Sequence, residues 1–180
     1  AVGEGFISGG TTQVDPKLIA NSQLIIFALY PHTFIEWIEQ YGNLIKPGTV
    51  ITDVTGVKGC VVEKVQNMLP DGVEFISAHP MAGKEVSGIQ NSTEKLFDKA
   101  NMIIVETENT DNEAVEVLSE IFYKMGFKLI KKCSADYHDT KIAYTSQLAH
   151  IVSNAYVKSP SGKNYVGFTG GSFQDMTRIA

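Results

Sequence analysis

The feature of this chain that most constrains its fold is an alternation of short apolar runs with longer amphipathic stretches. The apolar runs have the length of buried strands, and the stretches between them carry apolar residues at helical spacing. Buried strands that alternate with helices indicate a largely parallel sheet covered by helices on both faces. The predicted strands are residues 24–30, 49–54, 74–78, 101–106 and 127–131.

Helices are predicted between these strands. The last of them ends at Gly126, and glycine commonly occupies the position that directly follows a helix. The predicted helices are residues 34–44, 58–69, 92–98 and 112–125. The first part of the chain, residues 1–133, is therefore predicted to be an α/β domain.

The pattern changes after Cys133. Residues 134–158 show helical periodicity without a strand signal, and Ser134 is predicted to be the N-cap of this helix. A loop at residues 159–163 follows, and residues 173–180 have the pattern of a further helix. Residues 134–180 are therefore predicted to be the beginning of a second, all-α domain.

Composition and charge exclude several classes of protein. The formal net charge is −5 with scattered Lys and Arg, which argues against a nucleic-acid partner. No apolar run approaches the ~20 residues of a membrane span, so no membrane partner is expected. Cys60 and Cys133 lack metal-ligand spacing, so no metal site is predicted. Two unpaired thiols suit a reducing compartment, and we expect a cytoplasmic protein.

Ligands of open parallel sheets bind at the carboxyl ends of the strands. Three predicted strand ends carry candidate residues, namely Leu29-Tyr30-Pro31, Thr55-Gly56 and Ala78-His79-Pro80. No G-x-G-x-x-G sequence lies between a first strand and a helix. The chain as given therefore shows no glycine-rich loop for the pyrophosphate of a dinucleotide.

Four blocks of sequence, in order along nearly the whole chain, resemble the prephenate dehydrogenase family. The first two are residues 52–59 (TDVTGVKG) and residues 79–88 (HPMAGKEVSG). The third combines YHD at 137–139 with SQLAH at 146–150, and the fourth is GGSFQDMTRIA at 170–180. One such block would be a modest signal, whereas four in the right order are a specific one.

This resemblance implies a partial Rossmann-like α/β domain followed by the start of an all-α dimerisation domain. Residues 1–133 are then a partial nucleotide-binding domain without its first strand-helix-strand unit, and residues 134–180 begin the helical substrate and dimerisation domain. Because family members extend beyond both ends of this pattern, we expect a chain truncated at both ends and with little activity of its own. We also expect a homodimer formed through the helical domain.

The activity implied by the resemblance is the oxidative decarboxylation of prephenate to 4-hydroxyphenylpyruvate, in tyrosine biosynthesis. The small-molecule substrate transfers hydride to NAD or NADP, with NAD favoured. One alternative is arogenate dehydrogenase, whose substrate carries an amine in place of the keto group. Another is a non-catalytic folding or dimerisation fragment. A β-hydroxyacid dehydrogenase is disfavoured, because the long helix lacks that family's catalytic lysine pattern.

His79 is the predicted catalytic residue. A neutral imidazole accepts a proton at cellular pH, and the reaction requires an acceptor for the hydroxyl proton of the substrate. Pro80 restricts the backbone that follows. Without the resemblance, a hydrogen-bonded histidine at a strand end would be the better interpretation of His79.

The predicted substrate-binding residues match the family blocks. The planar guanidinium of Arg178 suits a carboxylate, and Asp175, three residues earlier, lies on the same helical face and is placed to orient it. His150 is assigned to the pyruvyl end, and Glu85 to a link between the catalytic loop and the substrate pocket. Surface ion pairs and packed side chains are the structural alternatives. The full prediction is Arg178, His150, Glu85, Thr55, Asp175 and Ser146.

The predicted cofactor-binding residues are Leu29, Tyr30, Pro31, Thr55 and Gly56. Three positions depart from the family pattern. Gly56 stands where many members have Ser, so Thr55 is a possible replacement partner for the substrate hydroxyl, and Gln147 and Gln174 stand where some members have basic residues. His138 and Asp139 are interpreted as structural residues that do not form a dyad, because neighbours on a helix point in different directions.

Overall fold

A computed structural model describes residues 2–3, 5–84, 86 and 88–180. Within it the chain forms two compact units, residues 1–135 and residues 136–180. The domain limits predicted from the sequence are 1–133 and 134–180, so the observed boundary lies two residues further along the chain. Each unit is described separately below.

A five-stranded sheet forms the centre of the first unit, in the order β1-β2-β3-β4-β5. β1, β2 and β3 are parallel, β4 runs antiparallel to β3, and β5 is parallel to β4. The mostly parallel α/β sheet predicted from the sequence is thus confirmed. The strands are β1 Leu24–Phe27, β2 Val50–Asp53, β3 Glu74–Pro80, β4 Asn101–Val105 and β5 Leu129–Cys133.

The reversal at β4 follows from the connection that precedes it. The helix predicted at residues 92–98 is wrong, because this segment forms successive turns with bonds between residues three apart. Lys99 then adopts a positive φ of 62°, which ends any helical path. A parallel crossover usually requires a helix, whereas an antiparallel neighbour does not. A connection built from turns therefore suits an antiparallel β4.

The helices of the first unit begin close to where the periodicity places them. α2 begins at Pro31, at the first helical position that proline favours. α3 begins at Val62 instead of residue 58, because residues 58–61 form a turn in which the Lys58 carbonyl accepts from two amides. The described helices are α1 Pro16–Ala20, α2 Pro31–Tyr41, α3 Val62–Met68 and α4 Asn112–Lys124.

Hydrophobic clusters cover both faces of the sheet, as the apolar strands predict. Alternate residues of β3 serve opposite faces, so Phe75 joins one cluster and Ile76 the other. The first cluster packs α2 and α3 against the sheet through Phe34, Ile38, Val61 and Val65. The second packs α4 through Ala114, Val115, Leu118 and Phe122.

The regular structure of the second unit, over residues 136–180, is helical. The long helix predicted for residues 134–158 is interrupted by a π-helical segment, Ala143–Gln147, in which the backbone gains an extra residue per turn. The elements are α5 Ala135–Ile142, this π segment, α6 Leu148–Lys158, a 3₁₀ turn Pro160–Gly162 and α7 Gly171–Thr177. The all-α character of this part of the chain is confirmed.

No helix in the described ranges has the length and apolarity to cross a membrane. The same residues contain no group of three or more His, Cys, Asp or Glu side chains placed to hold a metal ion.

Candidate functional site

The ends of β1 and β2 border a cavity of about 540 Å³. We call it the strand-end cavity. Because β1 and β2 are parallel neighbours, the loops that follow them emerge at the same edge of the sheet. The residues that line the strand-end cavity are Ala28, Leu29, Tyr30, Pro31, Thr33, Val54, Thr55 and Gly56. All five predicted cofactor-binding residues thus surround one cavity.

His79 lies at the end of β3, one strand further along the sheet, and is half-buried. Its ring packs against Gly56, since a Cβ added to this glycine would lie 3.7 Å from both Cε1 and Nε2 of the imidazole. The fold therefore brings the predicted catalytic residue beside a residue that lines the strand-end cavity.

A buried network of polar side chains supports these strand ends. Lys58 and Asp53 are both fully buried, with Nζ 2.8 Å from Oδ2. Lys58 Nζ also donates to the Ala78 carbonyl at 2.6 Å and to Thr55 Oγ1 at 3.2 Å. The lysine therefore ties the end of β2 to the peptide that directly precedes His79.

The carboxylate of Asp53 completes this network. Its Oδ1 accepts from the Ser77 hydroxyl at 2.6 Å and from the Ala78 amide at 3.2 Å. Its Oδ2 accepts from the Thr55 amide at 2.9 Å. A buried charge is tolerated when it is paired and its remaining hydrogen-bonding sites are satisfied, and both conditions hold here.

Lys58 and Asp53 were not among the residues predicted from the sequence. A signal was present, because both charges lie in the TDVTGVKG block directly after an apolar strand. Periodicity assigns Lys58 to a helix surface. Only the position of β3 shows that its side chain passes beneath the strand ends.

Thr55 is buried, and its hydroxyl donates to Asp53 Oδ2. The same oxygen lies 3.0 Å from the Val57 carbonyl. These bonds hold the turn after β2. These bonds do not favour the predicted contact between the Thr55 hydroxyl and a substrate. The backbone of Thr55 is then the part of this residue that is suited to contacts in the cavity.

In the second unit, α6 and the segment containing Arg178 are joined by two side-chain hydrogen bonds. His150 Nδ1 lies 2.8 Å from the Ile179 carbonyl oxygen, and the Ser153 hydroxyl donates to the Met176 carbonyl. Arg178 is the C-cap of α7 and is exposed. The structure thus brings His150 close to the Arg178 backbone.

The other predicted residues are placed as follows. Asp175 is exposed on α7 and borders an open cavity of the second unit, and Ser146 is half-buried in the π segment. Glu85 lies outside the described residues. His79 belongs to the first unit, whereas Arg178, His150, Asp175 and Ser146 belong to the second.

The prediction that His138 and Asp139 do not form a dyad is wrong as to their geometry, because the two side chains are hydrogen-bonded. Their interpretation as structural residues stays a prediction. His138 Nδ1 lies 2.7 Å from Asp139 Oδ1, and the His138 side chain is fully buried. The backbone directions of neighbouring residues do differ on a helix, but the side chains are long enough to turn toward each other. The carboxylate therefore orients a buried imidazole near the start of α5.

The cysteines form no disulfide. Cys60 is exposed and Cys133 is half-buried at the end of β5. Burial raises the pKa of the Cys133 thiol, with a smaller opposing effect of Lys131 and a small reinforcing effect of Glu106.

The protein belongs to the class of proteins in which a Rossmann-like α/β unit, with a cavity at its strand ends, is followed by a helical unit. Two family models divide the chain in the same way. Residues 9–131 match the nucleotide-binding domain of prephenate dehydrogenase, and residues 134–180 match its dimerization domain. The chain belongs to the prephenate dehydrogenase family.

Individual relatives agree with this assignment. A prephenate dehydrogenase of Bacillus subtilis is 32% identical over 136 residues, which are 73% of this chain and 36% of that protein. The crystal structure of an Aquifex aeolicus prephenate dehydrogenase in complex with hydroxyphenyl propionate and NAD+ gives a TM-score of 0.84 at 28% identity. The match covers 99% of this chain and 63% of that one.

A Synechocystis arogenate dehydrogenase has a TM-score of 0.78 at 26% identity, with 92% of this chain and 60% of that chain covered. The family therefore includes relatives named for two different substrates. The chain spans about half or less of the length of the curated relatives that it matches.

Proposed function

We propose that the protein is an NAD(P)+-dependent dehydrogenase that oxidatively decarboxylates prephenate, or its amino counterpart arogenate, in tyrosine biosynthesis. The observation that carries this proposal is the position of His79 beside Gly56 and the strand-end cavity. The crystallised A. aeolicus relative, which binds both a hydroxyphenyl ligand and NAD+, supports it.

The reaction requires three changes in the substrate. The ring hydroxyl loses its proton, the carbon that bears it loses a hydride, and the carboxylate on the opposite ring carbon leaves as carbon dioxide. The electron pair of the broken C–C bond enters the ring, which becomes aromatic, and the resulting phenolate oxygen takes a proton back to give the phenol. NAD(P)+ supplies the hydride acceptor when it is bound.

We assign His79 as the acceptor of the hydroxyl proton of the substrate. A neutral imidazole accepts the hydroxyl proton as the oxygen becomes a carbonyl-like and then a phenolic centre. The Lys58–Ala78 bond holds the peptide before His79, so the imidazole is presented from a fixed strand end. The buried network thus serves as a support for the catalytic group.

The strand-end cavity is the proposed place of the nicotinamide and its ribose. Leu29 and Pro31 offer apolar contacts, and Gly56 has no side chain to fill the space beside His79. We infer NAD(P) as the cofactor class and favour NAD, as the A. aeolicus relative binds NAD+.

Most of the proposed substrate anchors lie in the second unit. The guanidinium of Arg178 suits the ring carboxylate, with Asp175 as its orienting partner and His150, Ser146 and the undescribed Glu85 as further contacts. We further propose a homodimer formed through this unit, because the matching family model describes a dimerization domain.

Steady-state kinetics of the full-length protein test this function. His79→Asn is expected to lower kcat by roughly 10²- to 10⁴-fold with little change in KM, because it removes a proton acceptor without removing a substrate anchor. Formation of reduced nicotinamide from prephenate or arogenate is the measurement.

Arg178→Gln is expected to raise KM instead, because it removes a carboxylate contact. Lys163→Gln is the matched control, since it removes an exposed cation from the same unit. An enzyme that oxidises neither substrate, or an unchanged rate in His79→Asn, would contradict the proposal.

A further inference from the structure

The buried Lys58–Asp53 pair consists of two full charges, and the hydrogen bonds of Lys58 show the first of them. Its Nζ atom has acceptors at Asp53 Oδ2, Thr55 Oγ1 and the Ala78 carbonyl oxygen. These three acceptors match the three hydrogens of a charged ammonium, whereas a neutral amine has one hydrogen fewer. Lys58 is therefore a buried cation.

Asp53 is charged for the complementary reason. Its carboxylate oxygens accept from the amide and hydroxyl of Thr55, from Lys58 Nζ, from the Ser77 hydroxyl and from the Ala78 amide. A protonated carboxyl would bring a hydrogen of its own among these donors, whereas an ionised carboxylate only accepts. The pair is therefore a dipole with its positive end at Nζ and its negative end at the carboxylate.

The dipole of the pair is oriented along β3. The Asp53 carboxylate accepts from the Ala78 amide at 3.2 Å, in the peptide group that links Ser77 to Ala78. Lys58 Nζ donates to the Ala78 carbonyl at 2.6 Å, in the peptide group that links Ala78 to His79. The positive end is thus bonded to the peptide of His79, and the negative end to the peptide one residue earlier.

A cation bonded to this peptide acts against protonation of the His79 imidazole. A like charge close by disfavours the charged form of a group. Both members of the pair are fully buried, so water screens their effect on a neighbour poorly. A proton acceptor must hold no proton before the reaction, and the orientation of the pair therefore favours the form of His79 that the proposed function requires.

Other ionisable groups around His79 lie on β3, on β4 and in the loop after β3. On β3 itself, Glu74 stands at the opposite end of the strand. β4, which pairs with this part of β3, has the sequence NMIIV without an ionisable side chain. In the loop, Lys84 is exposed and donates to a backbone carbonyl at 2.7 Å, and Glu85 lies outside the described residues. The buried pair is thus bonded directly to the strand end that carries the imidazole.

We propose that Lys58 and Asp53 are positioning residues of the reaction, which keep His79 in its proton-accepting form through the orientation of their buried charges. The catalytic consequence of this inference rests on the proposed dehydrogenase function. An uncharged pair of the same shape would support the strand ends but would not perform this task. Removal of either charge therefore shifts the titration of His79, with opposite sign for the two residues.

Three variants of the full-length protein separate charge from shape. Asp53→Asn keeps the size of the side chain and leaves the ammonium unopposed, so the titration midpoint of His79 should fall by about one pH unit. Lys58→Met leaves the carboxylate unopposed, so the midpoint should rise by a similar amount. The variant with both substitutions removes the dipole, and its midpoint should lie between those of the wild type and Lys58→Met.

NMR of histidine-labelled protein measures this midpoint without substrate, with His79→Asn used to assign the signal. The pH dependence of kcat/KM is the second readout, and the midpoint of its acidic limb should follow the same order of variants. Lys132→Met is the matched control, because it removes a cation from an exposed pair with Glu106. Exposed charges are screened by salt, so this control should leave the midpoint unchanged.

The sign of the shifts decides between an electrostatic and a purely mechanical role. Equal midpoints in all variants, or shifts of the same sign in the two single variants, would overturn the inference. The double variant has no uncompensated buried charge and is expected to fold even where a single variant does not. A midpoint of the double variant at or below the wild-type value would overturn the inference by itself. The expected NMR order without turnover of prephenate or arogenate would contradict the proposed function alone.

Discussion

Lys58 and Asp53 show how one pair of side chains holds the candidate site together. Both are fully buried, and the pair connects the end of β2 with the peptide before His79. A buried ion pair contributes little net stability compared with apolar residues, because both charges lose their hydration. Removing only one partner is costly, since the other charge stays buried without compensation.

Lys58→Met is therefore expected to lower the free energy of unfolding by about 3–5 kcal/mol. Urea denaturation at neutral pH is the measurement. Lys132→Met is the matched control, because Lys132 pairs with Glu106 at 2.9 Å on the surface, with side chains 44% and 32% exposed. Such a pair is worth about 0–1 kcal/mol. Equal effects of the two substitutions would contradict a structural role for the buried pair.

At the scale of elements, the end of α4 follows from a local motif. The amide of Phe127 bonds to the Phe122 carbonyl at 3.2 Å, and the amide of Gly126 to the Tyr123 carbonyl at 3.1 Å. The rings of Phe122 and Phe127 also meet, with centroids 6.0 Å apart. These contacts form a Schellman motif, which requires the positive φ that glycine adopts without strain.

Gly126→Ala is expected to destabilise the first unit by about 1–3 kcal/mol. Gly126 has φ of 103°, and a Cβ there would lie 2.8 Å from Asp98 Oδ1. Gly48→Ala separates the two causes, because Gly48 also has a positive φ of 85° but has nothing within 4 Å of the added carbon. Thermal unfolding should show the larger loss for Gly126→Ala, and a larger loss for Gly48→Ala would contradict the role of the Asp98 contact.

At the scale of the whole molecule, the two units differ in how much they bury. The first contains two hydrophobic clusters, whereas the buried residues described in the second are His138, Ile142 and Ser153. The α6 helix exposes large apolar side chains, with Leu148 43%, Ile151 64% and Val152 46% accessible. A unit with so small a core depends on further burial for its stability.

Hydrogen exchange of the 180-residue chain tests this difference. At low concentration, amides of α6 are expected to exchange about a hundredfold or more faster than amides of β3. If a homodimer covers the exposed face of α6, its exchange slows as the concentration rises, while that of β3 stays constant. Equal protection of α6 and β3 in the monomer would contradict this account.

Several features could be predicted from the sequence because they depend on neighbours close in the chain. The strands of the sheet follow from apolar runs, the end of α4 follows from Gly126, and the two-part organisation follows from the change after Cys133. The family resemblance rests in the same way on contiguous blocks of residues. Burial along one segment is a local property, so periodicity encodes it directly.

Other features depended on the tertiary structure because they join residues distant in sequence. The direction of β4, the path of Lys58 to the Ala78 carbonyl and the bond from His150 to the Ile179 carbonyl each require the folded course of the chain. Periodicity predicts which side of a segment is buried but does not identify the distant residue against which that side packs. The sequence by itself therefore determined the α/β class, the family and His79 as a candidate, while the tertiary structure decided which groups hold that candidate and which backbone carbonyl His150 contacts.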